Sequence, residues 1–119
     1  MRVLIVEDET AAYENMVKVL QEIDSTIEIA GYAESVIRTE EWLRNNPRPD
    51  LIFMDIHLSD GSAFLIFDRM KIETPIVFTT AYDQYAIDAF RVNSIDYLLK
   101  PIKPDELRRA LGKFRHWIP

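Results

Sequence analysis

The sequence predicts an α/β fold in which a five-stranded parallel sheet is doubly wound, with helices on both of its faces. Short apolar runs alternate along all 119 residues with longer stretches whose apolar residues recur at helical spacing. The first of these runs is continuously apolar, which is typical of a strand covered on both faces. Five strand–helix units in this order favour a parallel sheet, because each helix carries the chain back to start the next strand.

The first half of the chain contains two strands and two helices by this reasoning. The first strand is predicted over 3–6, and the second over 26–30, where Gly31 is expected to close it. A weaker helix is expected over 34–45, since Pro47 and Pro49 prevent its continuation. The apolar stripe that predicts the first helix consists of Ala12, Met16, Val19, Leu20 and Ile23.

The second half repeats the pattern three times. A third strand is predicted over 51–54, followed by a loop at 58–61 and a helix around 63–70. A fourth strand over 76–79 precedes a helix over 83–92, and a short fifth strand covers about 96–98. The last helix is expected to begin at Pro104, which suits a first-turn position. Its apolar positions are Leu107, Ala110, Leu111, Phe114 and Ile118.

Length and composition indicate one globular domain, residues 1–119, that needs no disulfide or structural metal for its core. Apolar residues make up 48% and charged residues 29% of the chain. A net charge of −6 makes direct contact of this domain with nucleic acid unfavourable. The absence of cysteine excludes thiol catalysis. We expect a cytosolic protein that does not contact membranes, because the chain has neither a signal peptide nor a membrane-length apolar run.

Three carboxylates follow predicted strands. Glu7 and Asp8 come after the first strand, and Asp55 ends the third. Ligands of such sheets bind outside the carboxyl ends of the strands, so these acids are expected at one edge. Gathered carboxylates repel one another unless a cation is present, and Mg²⁺ prefers such oxygen ligands. Asp55 could then attack a phosphoryl group. The alternative is that residues 7–9 only cap the first helix, which we prefer for Glu9.

Other polar residues at the same predicted edge are weaker indications on their own. Thr80 could bond a phosphoryl oxygen, although a β-branched residue at a strand end is also ordinary. Lys100 could reach a phosphoryl group or Asp55, although most lysines are simply solvated. His57 is interpreted as a loop residue whose backbone carbonyl matters more than its imidazole. Tyr97 could swing between buried and exposed positions, which its spacing alone does not establish.

Four motifs together resemble the receiver domain of two-component response regulators, over essentially the whole chain. They are Glu7-Asp8, Met54-Asp55, Thr80-Ala81 and Tyr97-Leu98-Leu99-Lys100-Pro101. The resemblance implies a flavodoxin-like strand order 2-1-3-4-5, and transfer of a phosphoryl group from a sensor histidine kinase to Asp55. It assigns Mg²⁺ binding to four groups, namely Glu7, Asp8, Asp55 and the backbone carbonyl of His57. It also assigns phosphoryl contacts to Thr80 and Lys100, switching to Thr80 and Tyr97, and a cis bond before Pro101.

Segments 78–90 and 96–102 are especially similar to receivers that precede LytTR-type DNA-binding domains. We therefore expect an effector domain of that type to be absent from this chain, and DNA contact to occur through it. The resemblance also implies a phosphorylation-favoured homodimer through the fourth helix, fifth strand and fifth helix. Ser59 replaces the proline that is common in the loop after the phosphorylated aspartate, a change expected to affect loop stiffness more than chemistry.

Two alternatives use the same residues differently. The first is a Mg²⁺-dependent phosphohydrolase with Asp55 as the catalytic nucleophile. Many such enzymes need a second acid two residues later, where this chain has His57, and no substrate-covering cap domain is expected here. The second is a receiver-like module that no longer depends on phosphate, which is disfavoured because all expected polar positions are filled. A classical nucleotide-binding loop is excluded, because the three glycines lie far apart.

Overall fold

The computed structural model describes residues 1–81 and 94–117. Their sheet has five strands, all paired in parallel. In chain order the strands are β1 (Arg2–Val6), β2 (Glu28–Ala33), β3 (Leu51–Asp55), β6 (Ile76–Thr80) and β7 (Ser94–Leu99). They lie in the order β2-β1-β3-β6-β7. The predicted order 2-1-3-4-5 is therefore confirmed, with β6 and β7 as the fourth and fifth strands of the sheet.

Four helices and one small hairpin accompany these strands within the described residues, and the last helix follows the final strand. The helices are α1 (Thr10–Ile23), α2 (Val36–Asn45), α3 (Phe64–Arg69) and α4 (Pro104–Arg115). The hairpin pairs β4 (His57–Leu58) with β5 (Gly61–Ser62) in the antiparallel sense. The helix predicted over 83–92 and Ile118 lie outside the described residues. No helix in the described ranges is long and apolar enough to span a membrane.

The sheet separates two apolar layers, as expected for strands covered on both faces. Side chains alternate along each strand, so neighbouring residues contribute to opposite layers. Ile5 and Phe53 pack with Leu20 of α1 and with α4, whereas Met54 packs with Ile66 of α3 on the other face. This double cover leaves the ends of the strands as the places where polar groups can gather.

The prediction that Gly31 closes the second strand is wrong. Gly31 lies inside β2, which continues to Ala33, and it pairs with Leu4 of β1. The indole ring of Trp42 from α2 occupies the space that a Cβ atom at Gly31 would need. The glycine therefore serves close packing of α2 on β2, and the strand runs on to deliver its carboxyl end beside that of β1.

Candidate functional site: an acidic cluster at the carboxyl edge of the sheet

Three carboxylates meet where β1 and β3 end side by side. Glu7 and Asp8 directly follow β1, and Asp55 is the last residue of β3. One oxygen from each of the three lies within 4.8 Å of the others. Glu7 and Asp55 are buried, at 3% and 4% exposure, whereas Asp8 is exposed. Pairing of Glu7 N with the carbonyl of Ala33, at 2.9 Å, fixes the chain as it leaves β1. The structure thus brings together the acids that the sequence selected.

Lys100 inserts its ammonium group between the two buried carboxylates. Its Nζ lies 2.6 Å from Oε1 of Glu7 and 2.9 Å from Oδ2 of Asp55. The backbone of Lys100 is held in turn, because its N–H donates to the carbonyl of Thr80 at 2.7 Å. The Lys100–Pro101 peptide bond is cis. Contact with Asp55 was one of the two predicted possibilities for this lysine, whereas the contact with Glu7 was not predicted.

Backbone N–H groups satisfy the remaining oxygens of the buried acids. His57 N donates to Oδ1 of Asp55 at 3.1 Å, and Glu9 N donates to Oε2 of Glu7 at 3.2 Å. Glu9 occupies the N-cap position of α1, and a capping role was the one predicted for it. Its side chain, however, makes no capping hydrogen bond. The turn after each strand therefore folds back onto the carboxylate that the strand delivers.

The charges of this cluster are incompletely balanced. Although Asp8 is exposed, partial desolvation of its carboxylate raises its pKa, and the hydrogen bond and negative charge of Glu7 raise it further. Burial alone would lower the pKa of Lys100, but hydrogen bonds to Glu7 and Asp55 and their charges outweigh it, so the pKa is raised. Lys100 therefore stays protonated at neutral pH. One ammonium facing three carboxylates leaves excess negative charge that a cation would offset.

The donor set fits a hard divalent cation. Carboxylate oxygens are the ligands that Mg²⁺ takes in proteins, usually one or two of them together with water and phosphate oxygens. The cluster consists of Glu7, Asp8 and Asp55, without an imidazole. The side chain of His57 is exposed. The role predicted for this residue belongs to its backbone carbonyl and not to its imidazole ring. This chemistry suits Mg²⁺ better than Zn²⁺, which favours nitrogen and sulfur ligands.

Thr80 and Tyr97 lie on adjacent strands beside the cluster. Thr80 is the last residue of β6, is fully buried, and belongs to the strand that pairs with β3. Tyr97 is half-buried on β7, opposite Phe78, and packs against the apolar layer that contains Phe78. The predicted exchange of positions between Thr80 and Tyr97 stays a prediction, since the structure gives one arrangement.

Asp60, in the loop after Asp55, makes contacts that were not predicted from the sequence. Its Oδ1 accepts a hydrogen bond from Val36 N at 2.7 Å, and its Oδ2 accepts one from Ile37 N at 3.2 Å. It thereby joins the loop after Asp55 to the first turn of α2. In the sequence, the Asp60-Gly61 pair signals only a turn.

Comparison with known proteins assigns the family. The family model described as the response regulator receiver domain matches residues 3–112. The sensory transduction protein LytT of Bacillus anthracis is 42% identical over 118 residues, which are 97% of this chain and 47% of LytT. The transcriptional regulatory protein LytR of Staphylococcus aureus is 38% identical, with the same two coverages. The chain belongs to the response regulator receiver family.

Solved structures agree with this assignment. The response regulatory domain of mrkE from Klebsiella pneumoniae matches with a TM-score of 0.84 and 29% identity, over 98% of this chain and 96% of that domain. A two-component response regulator from Clostridium difficile matches with a TM-score of 0.83 and 25% identity, over 98% and 96% of the two chains. This chain spans about half the length of the curated relatives it matches. Receivers are signalling domains, and response regulators work with sensor histidine kinases.

Proposed function

We propose that this chain is a phosphorylation switch whose phosphoryl acceptor is Asp55 and whose donor is a sensor histidine kinase. The observation that carries the proposal is the setting of Asp55. Its carboxylate is buried at a strand end, between the ammonium of Lys100 and the N–H of His57. Glu7 and Asp8 lie beside it. This is a nucleophile with two donors in place and with further acids for a cation.

Glu7, Asp8, Asp55 and the carbonyl of His57 are proposed to hold Mg²⁺. When bound, the ion offsets negative charge on the nucleophile and on the incoming phosphoryl oxygens. The raised pKa of Asp8 supports this assignment, because partial desolvation and the neighbouring Glu7 disfavour its charged form until a cation is near.

The side chains of Asp55, Lys100 and Thr80 would then carry out the phosphoryl transfer. An oxygen of Asp55 attacks the phosphorus of a phosphohistidine on the kinase, forming a P–O bond while the P–N bond breaks. The departing imidazole keeps the electron pair of that bond. Lys100 would pair with one phosphoryl oxygen, and the hydroxyl of Thr80 would donate to another. The product is an acyl phosphate on Asp55.

The acyl phosphate is proposed to act through Thr80 and Tyr97. As Thr80 moves toward the phosphoryl group, Tyr97 would fill the space it leaves. Within the described residues, the surface that would change comprises β7 and α4, and we propose that it favours a homodimer. Phosphorylation can shift this equilibrium only by its different affinity for the two states.

Residues 1–119 are proposed to form the receiver of a longer transcription regulator, with a LytTR-type domain as the DNA-binding effector. The support is the similarity to LytT and LytR, of which this chain covers about half. The excess of acidic residues agrees with a receiver that does not itself bind DNA.

Incubation with Mg²⁺ and a small phosphodonor tests the proposal. We expect intact-mass spectrometry to show one added phosphoryl group on the wild type and none on Asp55→Asn. An equal adduct on the variant would contradict the assignment. Multiple turnover of small phosphate esters would instead favour a phosphohydrolase, although His57 stands where such an enzyme would carry its second acid.

A further inference from the structure

The chain directly after Asp55 folds into a small unit of its own. His57 pairs with Ser62, and Leu58 pairs with Gly61, in the hairpin formed by β4 and β5. The unit is closed at its base, where the N–H of Ala63 donates to the carbonyl of Ile56 at 2.7 Å. Its first paired residue is His57, whose carbonyl is a proposed metal ligand. The position of this hairpin therefore determines where that carbonyl lies.

The hairpin is attached to α2. Asp60, at the tip, accepts hydrogen bonds from the N–H groups of Val36 and Ile37, at 2.7 and 3.2 Å. Ser59 adds a third link, because its Oγ donates to the carbonyl of Glu34 at 3.2 Å. These links cross 23 to 25 residues of sequence and join the metal-site loop to a helix on the sheet face.

The electrostatics of Asp60 suit this attachment. Desolvation tends to raise its pKa, but backbone hydrogen bonds, first those from Val36 and Ile37, together with the charge of Arg69, outweigh this and lower the pKa. The carboxylate is therefore ionised at neutral pH and faces the positive end of the helix dipole. Gly61 follows with a φ of 143°, a conformation that favours glycine and lets the chain turn back from Asp60 into β5.

The first turn of α2 also has a local cap. The Oγ of Ser35 accepts a hydrogen bond from Arg38 N at 3.0 Å. Ser35 and Asp60 thus stabilise the same helix end, but only Asp60 belongs to the loop that carries His57. Substitutions of Ser35 and Asp60 can therefore distinguish an effect on the stability of α2 from an effect on the position of the loop.

We propose that Asp60 is a positioning residue, which docks the hairpin on α2 and thereby sets the His57 carbonyl for the metal ion. The inference rests on the proposed function, since it assumes that this edge of the sheet binds Mg²⁺. Because coupling between two sites is reciprocal, metal binding should also strengthen the hydrogen bonds between Asp60 and the start of α2. Asp60 acts through the loop and does not touch the ion.

Calorimetric titration with Mg²⁺ tests the inference on the wild type, Asp60→Ala and Ser35→Ala. We expect Asp60→Ala to bind Mg²⁺ about tenfold more weakly, the loss typical of groups that orient metal ligands. Ser35→Ala should bind like the wild type, although urea denaturation should show that it too is less stable. Loss of helix stability alone would therefore not reproduce the effect on metal affinity.

Amide hydrogen exchange provides a second readout on the same proteins. We expect Mg²⁺ to slow exchange at Val36 and Ile37 in the wild type and not in Asp60→Ala. Equal Mg²⁺ affinity of Asp60→Ala and the wild type would overturn the inference while leaving the proposed function intact. A wild type that does not bind Mg²⁺ would overturn both.

Discussion

Lys100 allows two buried carboxylates to share one edge of the sheet. Glu7 and Asp55 have side chains only 4% and 6% exposed, and the ammonium of Lys100 contacts both. Without it, each of these carboxylates would lose a hydrogen bond and the positive charge that compensates for their mutual repulsion. The proposed pairing of Lys100 with a phosphoryl group would therefore exchange one anionic partner for another.

Replacement of Lys100 by methionine is expected to lower the free energy of unfolding by about 1–3 kcal/mol, because it leaves hydrogen-bonding oxygens of buried carboxylates without their donor. Urea denaturation in the presence of a chelator measures this loss. Added Mg²⁺ should recover more stability in the variant than in the wild type. Lys103→Met, at an exposed position before α4, is the matched control. Equal stability of the two variants would contradict the role given to Lys100.

At the scale of single residues, the sequence predicted the candidate functional side chains that directly follow or end a strand. Glu7, Asp8 and Asp55 could be grouped because parallel strands present their carboxyl ends at one edge. The cap formed by Asp60 could not be predicted, since its partners lie 24 and 23 residues earlier and their meeting depends on tertiary folding. The contact between Lys100 and Glu7 spans 93 residues and was missed for the same reason.

The packing of α2 on β2 depends on Gly31. A Cβ atom there would overlap the indole of Trp42, which packs against the apolar layer on that face. Such an overlap requires Trp42 or the strand to shift. A single missing side chain thus determines how closely a helix approaches the edge strand.

We expect Gly31→Ala to destabilise the domain by about 1–3 kcal/mol through overpacking, and to shift the fluorescence of Trp42. Thermal unfolding and emission spectra measure both effects. Gly112→Ala is the control, because Gly112 lies in α4 and a Cβ atom there meets nothing within 4 Å. That change should stabilise by about 0.5–1 kcal/mol, since alanine loses less backbone freedom on folding than glycine. A stable Gly31→Ala with unchanged fluorescence would refute this account.

Periodicity located the described helices well but placed some strand ends poorly. The first helix was predicted from its stripe, and α1 contains that stripe from Ala12 to Ile23. The second strand was misplaced, because Gly31 reads locally as a stop signal, whereas its use is to admit Trp42. Strand ends depend on cross-strand partners, and the pairing of β7 with β6 extends it to Ser94–Leu99.

Across the whole molecule, the proposed phosphorylation site is linked to the surface formed by β7 and α4. Thr80 at the end of β6 pairs with Leu99, and Tyr97 lies on the same strand as Leu99. Asp96 binds α4 through Arg109 at 3.1 Å and Lys113 at 3.4 Å. A displacement of β7 would therefore be transmitted to α4.

Phosphorylation is expected to shift the domain toward a dimer. Sedimentation velocity over a range of protein concentrations, with Mg²⁺ and phosphodonor, should show a larger fraction of dimer than without the donor. Asp55→Asn should not respond to the donor, because it lacks the acceptor carboxylate. A wild type that is phosphorylated yet sediments unchanged would contradict the dimer proposal without contradicting the proposed phosphorylation site.

The central claim is that Asp55 carries the phosphoryl group, and the most direct test is to identify the modified residue. Hydroxylamine converts an acyl phosphate into a hydroxamate, which marks the acceptor for tandem mass spectrometry. After treatment with phosphodonor and Mg²⁺, we predict a hydroxamate on Asp55, and none when a chelator replaces Mg²⁺. A hydroxamate on another acid with Asp55 unmodified, or equal modification of Asp55 without Mg²⁺, would contradict the account.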